Sequence, residues 1–331
     1  MHKLIAACVL LAGICFITDN VNAGMNMFDW KYWKCFLKKS TDCPDNDIRF
    51  YLYSHESGTR RKRIDVRNPL ALNIAGWNRT KNNVIIIHGF NGTENKSPIT
   101  ILRDAFLTRD DYNVFTVDWK PLTQFPCYLS SLSNTRLVGK CTAQFYAYIM
   151  DHGGAARKTT CVGHSLGAHI CGIISNHLDV KQHRIVGLDP ARPLINEYAS
   201  HVTRLSPEDA FQVQVIHTNA GFLGEAHQRG HVDFCVNGGN SQPGCKGHWL
   251  RISRCSHFQS VCFYAATVRG THTHMGRPCS SVCPKQSKNW GMKPGKAIPM
   301  GINTPLSAKG TFCVDTGVAT TRHNECPFDK N

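Results

Sequence analysis

The residues best suited to chemistry lie around Ser165, in the segment Gly163-His164-Ser165-Leu166-Gly167. The run 159–162 before it is rich in β-branched residues and predicts a strand, and a helix-like stretch follows. A serine on such a tight strand-to-helix turn exposes its hydroxyl, and bulky residues at the two glycine positions would collide. The sequence therefore predicts that Ser165 is a nucleophile and that the two glycines are required sterically.

A serine nucleophile needs a base that takes its proton and a carboxylate that orients the base, and both follow in the chain. Asp189 comes directly after the apolar run 184–188, where a strand would deliver it to the sheet edge that carries Ser165. His257 comes later, in Cys255-Ser256-His257-Phe258. The chain order Ser, Asp, His is that of hydrolases built on this turn. We expect Ser165 to form the acyl-enzyme, His257 to transfer the proton and Asp189 to hold the imidazole tautomer.

The chain contains 17 histidines, so the presence of one histidine means little by itself. His164 and His169 flank the nucleophile, but the turn points them away from the serine hydroxyl, and we expect packing or hydrogen-bonding roles for them. His217 ends a predicted strand, and we expect a structural role for it as well.

Short β-rich runs alternate with helix-like stretches along most of the chain, which predicts an α/β fold with a largely parallel sheet and helices on both faces. Single α/β domains often reach this length, so we expect one disulfide-rich domain over residues 24–331. The predicted strands are 84–87, 114–117, 159–162, 184–188 and 213–217, and the predicted helices are 99–107, 134–151 and 165–178.

Two longer motifs, Gly163 to His169 and Gly187-Leu188-Asp189-Pro190-Ala191, closely resemble the animal pancreatic-lipase family of α/β-hydrolases. The resemblance covers roughly residues 45–320. Further matching segments are His88-Gly89-Phe90, Asp118-Trp119, Val215-Ile216-His217-Thr218-Asn219, Val232-Asp233-Phe234 and Asn237-Gly238-Gly239.

The resemblance implies that Ser165, Asp189 and His257 form the catalytic triad and that Phe90 and Leu166 supply the two backbone N–H groups of an oxyanion hole. It also implies a disulfide between Cys245 and Cys255. Typical members carry an additional β-sandwich domain; only 74 residues follow His257 here, so we expect no such domain and no colipase-like partner.

A structural calcium site occurs in relatives in the stretch that corresponds to 201–209. Here His201 and Ser206 stand where acidic ligands are expected, and only Arg204, through its carbonyl, and Asp209 match. We therefore expect neither a required metal nor a cofactor.

The substrate is indicated by two segments that are short compared with those of lipases in the family. The lid, defined as the nine residues 246–254 between Cys245 and Cys255, and the loop 221–230 would leave a wide, polar cleft. This pattern resembles the phospholipase A1 branch of insect and venom enzymes, which cleave the sn-1 acyl ester of glycerophospholipids. The alternatives are a triacylglycerol or galactolipid lipase and a non-catalytic lipid-binding protein, which a complete triad disfavours.

The lid composition suits contact with a lipid surface, because Trp249, Leu250 and Ile252 alternate with basic side chains. The alternative is that Trp249 merely packs against the loop.

The first 23 residues have the pattern of a secretory signal peptide: Lys3, an apolar core and a small-residue end at Val21-Asn22-Ala23. Two of the 16 cysteines, Cys8 and Cys15, lie in this segment, which leaves an even 14. An even count in an exported chain predicts disulfides and a secreted, extracellular protein. From proximity we expect Cys35 to pair with Cys43 and Cys127 with Cys141; the remaining connectivity stays open.

The chain carries 38 Lys and Arg against 23 Asp and Glu, a formal net charge of +15, which favours anionic partners such as a phospholipid membrane or lipid aggregate. The basic residues are scattered and no recognition module is present, so nucleic-acid binding is not expected. Asn78 and Asn91 begin glycosylation sequons and are expected at the surface.

Overall fold

The computed structural model describes Cys35, Leu37, Lys38 and residues 40–195, 201–280, 282–283 and 293–317. The expected signal peptide, residues 1–23, lies outside the described residues.

The eleven strands of the described chain form one sheet in the order β10-β9-β11-β8-β7-β6-β5-β3-β4-β1-β2. The seven strands from β11 to β4 in this order are parallel, and antiparallel strands lie at both edges. The strands are β1 (Arg49–Tyr53), β2 (Lys62–Ile64), β3 (Asn82–Ile87), β4 (Tyr112–Asp118), β5 (Thr159–His164), β6 (Gln182–Leu188), β7 (Ala210–His217), β8 (Val232–Val236), β9 (Met275–Pro278), β10 (Ile298–Pro299) and β11 (Gly310–Val314).

Helices cover both faces of this sheet. The α-helices are α1 (Ala71–Ala75), α2 (Ile99–Leu107), α3 (Tyr128–Asp151), α4 (Leu166–Ser175) and α5 (Trp249–Arg269), and short 3₁₀ helices span Lys120–Leu122, Ala156–Lys158, His201–Thr203 and Pro207–Asp209. Helices α1, α3 and α4 pack on one face, and α2 and α5 pack on the other.

Buried strands are apolar on both faces because both faces are covered. In β3, Ile85 and Ile87 belong to the core under α3 and α4, whereas Val84 and Ile86 belong to the core under α2 and α5. This alternation explains why the strand reads as one continuous apolar run.

The strand order reverses beside β3. The chain passes from β3 to β4 on one side and returns to β5 on the other. Because crossovers between parallel strands are right-handed, the two directions place their helices on opposite faces, and a crevice opens at the carboxyl ends of β3 and β5. Gly89 and Ser165 follow these two strand ends.

The predicted α/β-hydrolase class is confirmed by this topology together with the disulfides. All five predicted strands fall within observed strands. The prediction of helix 134–151 was too short, because the helix already begins at Tyr128; the helix after Ser165 ends at Ser175 rather than at residue 178.

Six disulfides join described cysteines: Cys35–Cys127, Cys43–Cys141, Cys161–Cys171, Cys235–Cys283, Cys245–Cys255 and Cys279–Cys313. The two pairings predicted from proximity were therefore wrong. Cys127 caps α3 and Cys141 lies within it, 14 residues and roughly 21 Å farther along the axis, which is too far for a bridge. Each instead pairs with a cysteine of the segment 35–43.

Candidate active site

Ser165 lies on the sharp turn between β5 and α4, with φ 58° and ψ −121°. Its N–H donates to the carbonyl of Leu188 at 3.0 Å, which ties the turn to the end of β6. A Cβ at Gly163 would overlap the backbone of Gly167, and one at Gly167 would overlap the carbonyl of Ile87. The unusual backbone of Ser165 is thus held by close backbone packing that only glycine permits.

Asp189 follows β6 and is fully buried, also with a positive φ of 44°. Its Oδ1 accepts hydrogen bonds from the backbone N–H groups of Thr218 at 2.8 Å and Asn219 at 3.0 Å, just beyond β7. A Cβ at Gly224 would overlap the Asp189 carboxylate. The loop that contains Gly224 must therefore come this close for the carboxylate to be enclosed.

His257 lies in the third turn of α5, on the face of the helix that packs over the site. Its Nδ1 donates to Oδ2 of Asp189 at 2.6 Å, because a carboxylate can only accept. In the neutral ring Nε2 is then the free acceptor, which is the state that a general base needs. Ser165 and His257 line the same cleft, which encloses about 890 Å³ of empty space, part of it open to solvent.

The loop after β3 lies against Ser165. A Cβ at Gly89 would be 2.6 Å from the Cβ of Ser165, so Phe90 follows at a point of very close approach. Leu166 is the first residue of α4, where backbone N–H groups have no partner within the helix. Neither the N–H of Phe90 nor that of Leu166 donates to an acceptor among the described residues. Both predicted oxyanion positions thus offer N–H groups beside Ser165, which could stabilise a developing negative charge.

The two histidines that flank Ser165, His164 and His169, are buried and contact different neighbours. His164 Nε2 lies 3.2 Å from the carbonyl of His257, and the two rings are 4.5 Å apart. His169 Nε2 donates to the carbonyl of Ala191 at 2.8 Å, and its Nδ1 accepts from the N–H of Leu205. Burial lowers the pKa of both, that of His164 well below its usual value. His164 therefore packs against His257 as a neutral ring.

A second buried pair, His217 and Asp233, lies near Asp189. His217 Nε2 donates to Asp233 Oδ2 at 2.8 Å, and Nδ1 donates to the carbonyl of Glu225 at 2.8 Å. Burial lowers the pKa of His217, but the hydrogen bond and charge of Asp233 outweigh it and raise the pKa overall. The pair fixes the end of β7, and Thr218 and Asn219, whose amides hold Asp189, follow directly.

Only residues 246–248 of the lid form a separate loop, because α5 begins at Trp249 and contains the rest of the segment. Trp249 is 46% exposed, Ile252 is half-buried and Leu250 is only 9% exposed. The expectation that all three side chains face a lipid surface therefore needs correction for Leu250, which packs inward. The Cys245–Cys255 disulfide closes the base of the lid two residues before His257.

The two sequons lie in different surroundings. Asn78 is exposed, and its Oδ1 accepts from the N–H and hydroxyl of Thr80. Asn91 is exposed in the wall of the cleft, one residue after Phe90. Glycosylation at either position stays a prediction.

The stretch proposed for calcium in relatives is occupied by internal contacts here. The Asp209 carboxylate accepts from the N–H of Ser206 at 2.8 Å, and burial raises the pKa of Asp209 to about 6. Within the described ranges, no group of three or more His, Cys, Asp or Glu side chains could hold a metal ion. That no metal is required stays a prediction.

Among the residues that the structure describes, no helix is long and apolar enough to cross a membrane.

A family model described as Lipase matches residues 26–312, a range that includes Ser165, Asp189 and His257. The chain belongs to the lipase family. The resemblance to pancreatic lipases read from the motifs is thereby confirmed.

Individual relatives agree with the family match. Mouse pancreatic lipase-related protein 2 is 30% identical over 92% of this chain and 67% of its own length. Mouse lipase member H is 32% identical over 75% of this chain and 58% of its own length, and lipase member H-A of Xenopus laevis is 33% identical over 71% and 51%. The chain thus spans between half and two thirds of these relatives. A solved thermophilic esterase from Thermogutta terrifontis is 13% identical over 56% of this chain and 73% of its own, with a TM-score of 0.35.

Sequence reasoning missed the parts of the site that act through the backbone. The motif ending in Thr218-Asn219 was visible, but nothing in its side chains shows that its amides bind a carboxylate. Gly224 was visible only as one of 27 glycines.

Proposed function

We propose that this chain is a secreted phospholipase A1, which hydrolyses the sn-1 acyl ester of glycerophospholipids through an acyl-enzyme on Ser165. The observation that carries the proposal is the short lid, since most of it is the first turns of α5 and little chain remains to cover the cleft. An open cleft has room for a headgroup beside the scissile ester.

The chemistry proposed follows from the hydrogen bonds of the site. His257 takes the Ser165 proton through Nε2 as the hydroxyl attacks, because Nδ1 is committed to Asp189. The N–H groups of Phe90 and Leu166 stabilise the oxyanion, and the protonated His257 then protonates the leaving lysophospholipid. Water attacks the acyl-enzyme by the same route in reverse.

The proposed partner is an anionic lipid surface. The net charge of +15 favours encounter with such a surface, and Trp249 is an exposed aromatic side chain of the lid, at the start of α5. The six disulfides among described residues support export. No colipase is expected.

The competing function is a neutral lipase. The relatives support it equally well, because the two mouse proteins are named pancreatic lipase-related protein 2 and lipase member H. The two functions are separated by acyl release from phosphatidylcholine labelled separately at sn-1 and sn-2, alongside a triolein emulsion. Release of the sn-1 label alone, absent in Ser165→Ala, supports phospholipase A1. Preference for triolein supports the lipase, and no Ser165-dependent release contradicts both.

The lipid-surface role of Trp249 has its own test. We expect Trp249→Ala to bind phosphatidylglycerol vesicles more weakly and to keep its activity on a dissolved short-chain ester. Phe211→Ala is the matched control, because Phe211 is 64% exposed and lies at the amino end of β7, whereas Ser165 follows the carboxyl end of β5. Unchanged vesicle binding in Trp249→Ala would contradict the role.

A further inference from the structure

The side chains of His217 and Asp233 form a buried pair in which every polar atom is hydrogen-bonded. The Nδ1 atom of His217 lies 2.8 Å from the carbonyl oxygen of Glu225, and its Nε2 atom lies 2.8 Å from Asp233 Oδ2. A carbonyl and a carboxylate can only accept, so both ring nitrogens carry protons and the ring is an imidazolium. The raised pKa of His217 agrees with this state.

The pair fastens the loop 221–230 at two points. The imidazolium of His217 binds the backbone of Glu225, in the middle of the loop. The carboxylate of Asp233 accepts from the N–H groups of Arg229 at 2.9 Å and Gly230 at 2.8 Å, at the end of the loop. The course of this short loop is therefore set from the protein interior.

The part of the loop before Glu225 covers the carboxylate of Asp189. A Cβ at Gly224 would overlap this carboxylate, so the backbone of Gly224 packs directly on it. The segment 223–225 lies antiparallel to residues 190–192, and hydrogen bonds of 2.8 Å on both sides of Gly224 join the two. The segment helps to keep water from Asp189, which is fully buried.

The backbone of Glu225 is bound from two directions. Its N–H donates to the carbonyl of Pro190 at 2.8 Å, and its carbonyl accepts from His217. Without the bond to His217, the segment 223–225 would be free to move away from Asp189 and admit water. The attraction between the Asp189 carboxylate and a protonated His257 would then weaken, because the effective dielectric constant would rise.

We propose that His217 is a positioning residue for the catalytic acid. Its bond to the carbonyl of Glu225 holds the neighbouring backbone against the carboxylate of Asp189. Its bond to Asp233 has a different role, which is to stabilise the fold by pairing two buried charges. The inference rests on the proposed hydrolysis by the triad, and it does not depend on whether the substrate is a phospholipid or a neutral lipid.

Two variants of His217 separate its two bonds. The amide nitrogen of asparagine is as many bonds from Cα as Nδ1 of histidine, and the amide nitrogen of glutamine is as many bonds away as Nε2. His217→Asn therefore keeps a donor for Glu225 and loses the bond to Asp233, whereas His217→Gln does the reverse. Both variants lose the same charge and one hydrogen bond, so each is the matched control for the other.

The measurements are kcat and KM on dissolved p-nitrophenyl butyrate, together with Tm. We expect His217→Gln to lower kcat roughly tenfold to a hundredfold, since a misplacement of about 1 Å can cost about 100-fold in rate. Its KM should stay within about twofold of wild type, because Leu223, which lines the cleft, keeps its own bond to Arg192.

The asparagine variant should show the opposite order of effects. We expect His217→Asn to keep kcat within about threefold of wild type. Its Tm should fall at least as far as that of His217→Gln, because it breaks the hydrogen bond to the buried carboxylate of Asp233. Activity and stability would then change in different orders, which a purely structural role does not produce.

Gly224→Ala tests the same segment from the side of the acid and is available if His217→Gln does not fold. The added Cβ would overlap the Asp189 carboxylate, so the segment must shift. We expect kcat to fall and KM to stay near the wild-type value.

Three results would overturn the inference. The first is a kcat that falls equally in both His217 variants or follows Tm, because the histidine would then act only through stability. The second is a larger loss of kcat in His217→Asn than in His217→Gln, which would assign the role to the bond with Asp233. The third is an unchanged kcat in Gly224→Ala.

Failure of the proposed function is recognised separately. A wild-type enzyme without hydrolysis that depends on Ser165 overturns that function, and Ser165→Ala shows this before any variant of His217 is made.

Discussion

At the residue scale, Asp189 shows how much of the site depends on one carboxylate. One oxygen accepts two backbone N–H groups and the other accepts Nδ1–H of His257. In Asp189→Asn the amide oxygen would keep the backbone bonds, so the NH₂ group would face His257 and favour the wrong tautomer. We expect kcat to fall roughly 10⁴-fold with little change in Tm.

The measurement is kcat on a dissolved ester together with thermal unfolding. Asp233→Asn is the matched control, because Asp233 makes a similar bond to a buried histidine away from Ser165. Asp233→Asn should lower stability more than Asp189→Asn does, and it should lower activity far less. Activity in Asp189→Asn within tenfold of wild type would refute the assignment of the acid.

At the element scale, the Cys245–Cys255 disulfide joins the loop before α5 to the second turn of that helix. Replacing both cysteines with alanine should cost about 2–3 kcal/mol by the loop-entropy model. The first turns of α5 should also fray, because the lid loses its cross-link. Trypsin should then cleave faster after Lys246, Arg251 and Arg254.

Limited proteolysis and urea unfolding check this. The Cys161–Cys171 disulfide closes a loop of the same length, with a separation of 10 residues in both cases, so its removal is the control. That variant should lose a similar amount of stability without faster cleavage in the lid. Equal cleavage rates in both variants would show that the lid does not depend on its own disulfide.

At the scale of the whole molecule, buried neutral histidines make stability depend on pH. Burial lowers the pKa of His164, His169 and His274, that of His274 to about 4. A lowered folded pKa gives stability that is present above the unfolded value of 6.5 and is lost as pH falls toward the folded value. The raised pKa of His217 has the opposite effect: its contribution to stability is present at low pH and is lost as pH rises through the folded pKa.

We therefore expect stability to fall between pH 6.5 and about 4 through these histidines. His274→Phe keeps an aromatic ring against Phe263 and removes one titrating group. The fall in unfolding free energy from pH 7 to pH 4, measured with urea, should be smaller in this variant by at most about 3 kcal/mol. An identical fall in both proteins would contradict the contribution of His274.

The sequence by itself determined the α/β fold class and predicted a triad in the order Ser, Asp, His, because both depend on order along the chain. The oxyanion positions were implied by the resemblance to the lipase family. Strand runs and the glycine-flanked serine are read over short distances, and the order Ser, Asp, His is read directly along the chain. For the same reason the position of Asp189 at the sheet edge followed from the end of an apolar run.

Only the tertiary structure decided which cysteines pair across α3, that Leu250 packs inward, and that the amides of Thr218 and Asn219 hold Asp189. It also brought Arg254 into the cleft beside His257. These features depend on contacts between distant segments and on backbone groups that every residue type carries. The order of side chains along the sequence does not predict these features, because they are set by how the helices and loops pack on the sheet.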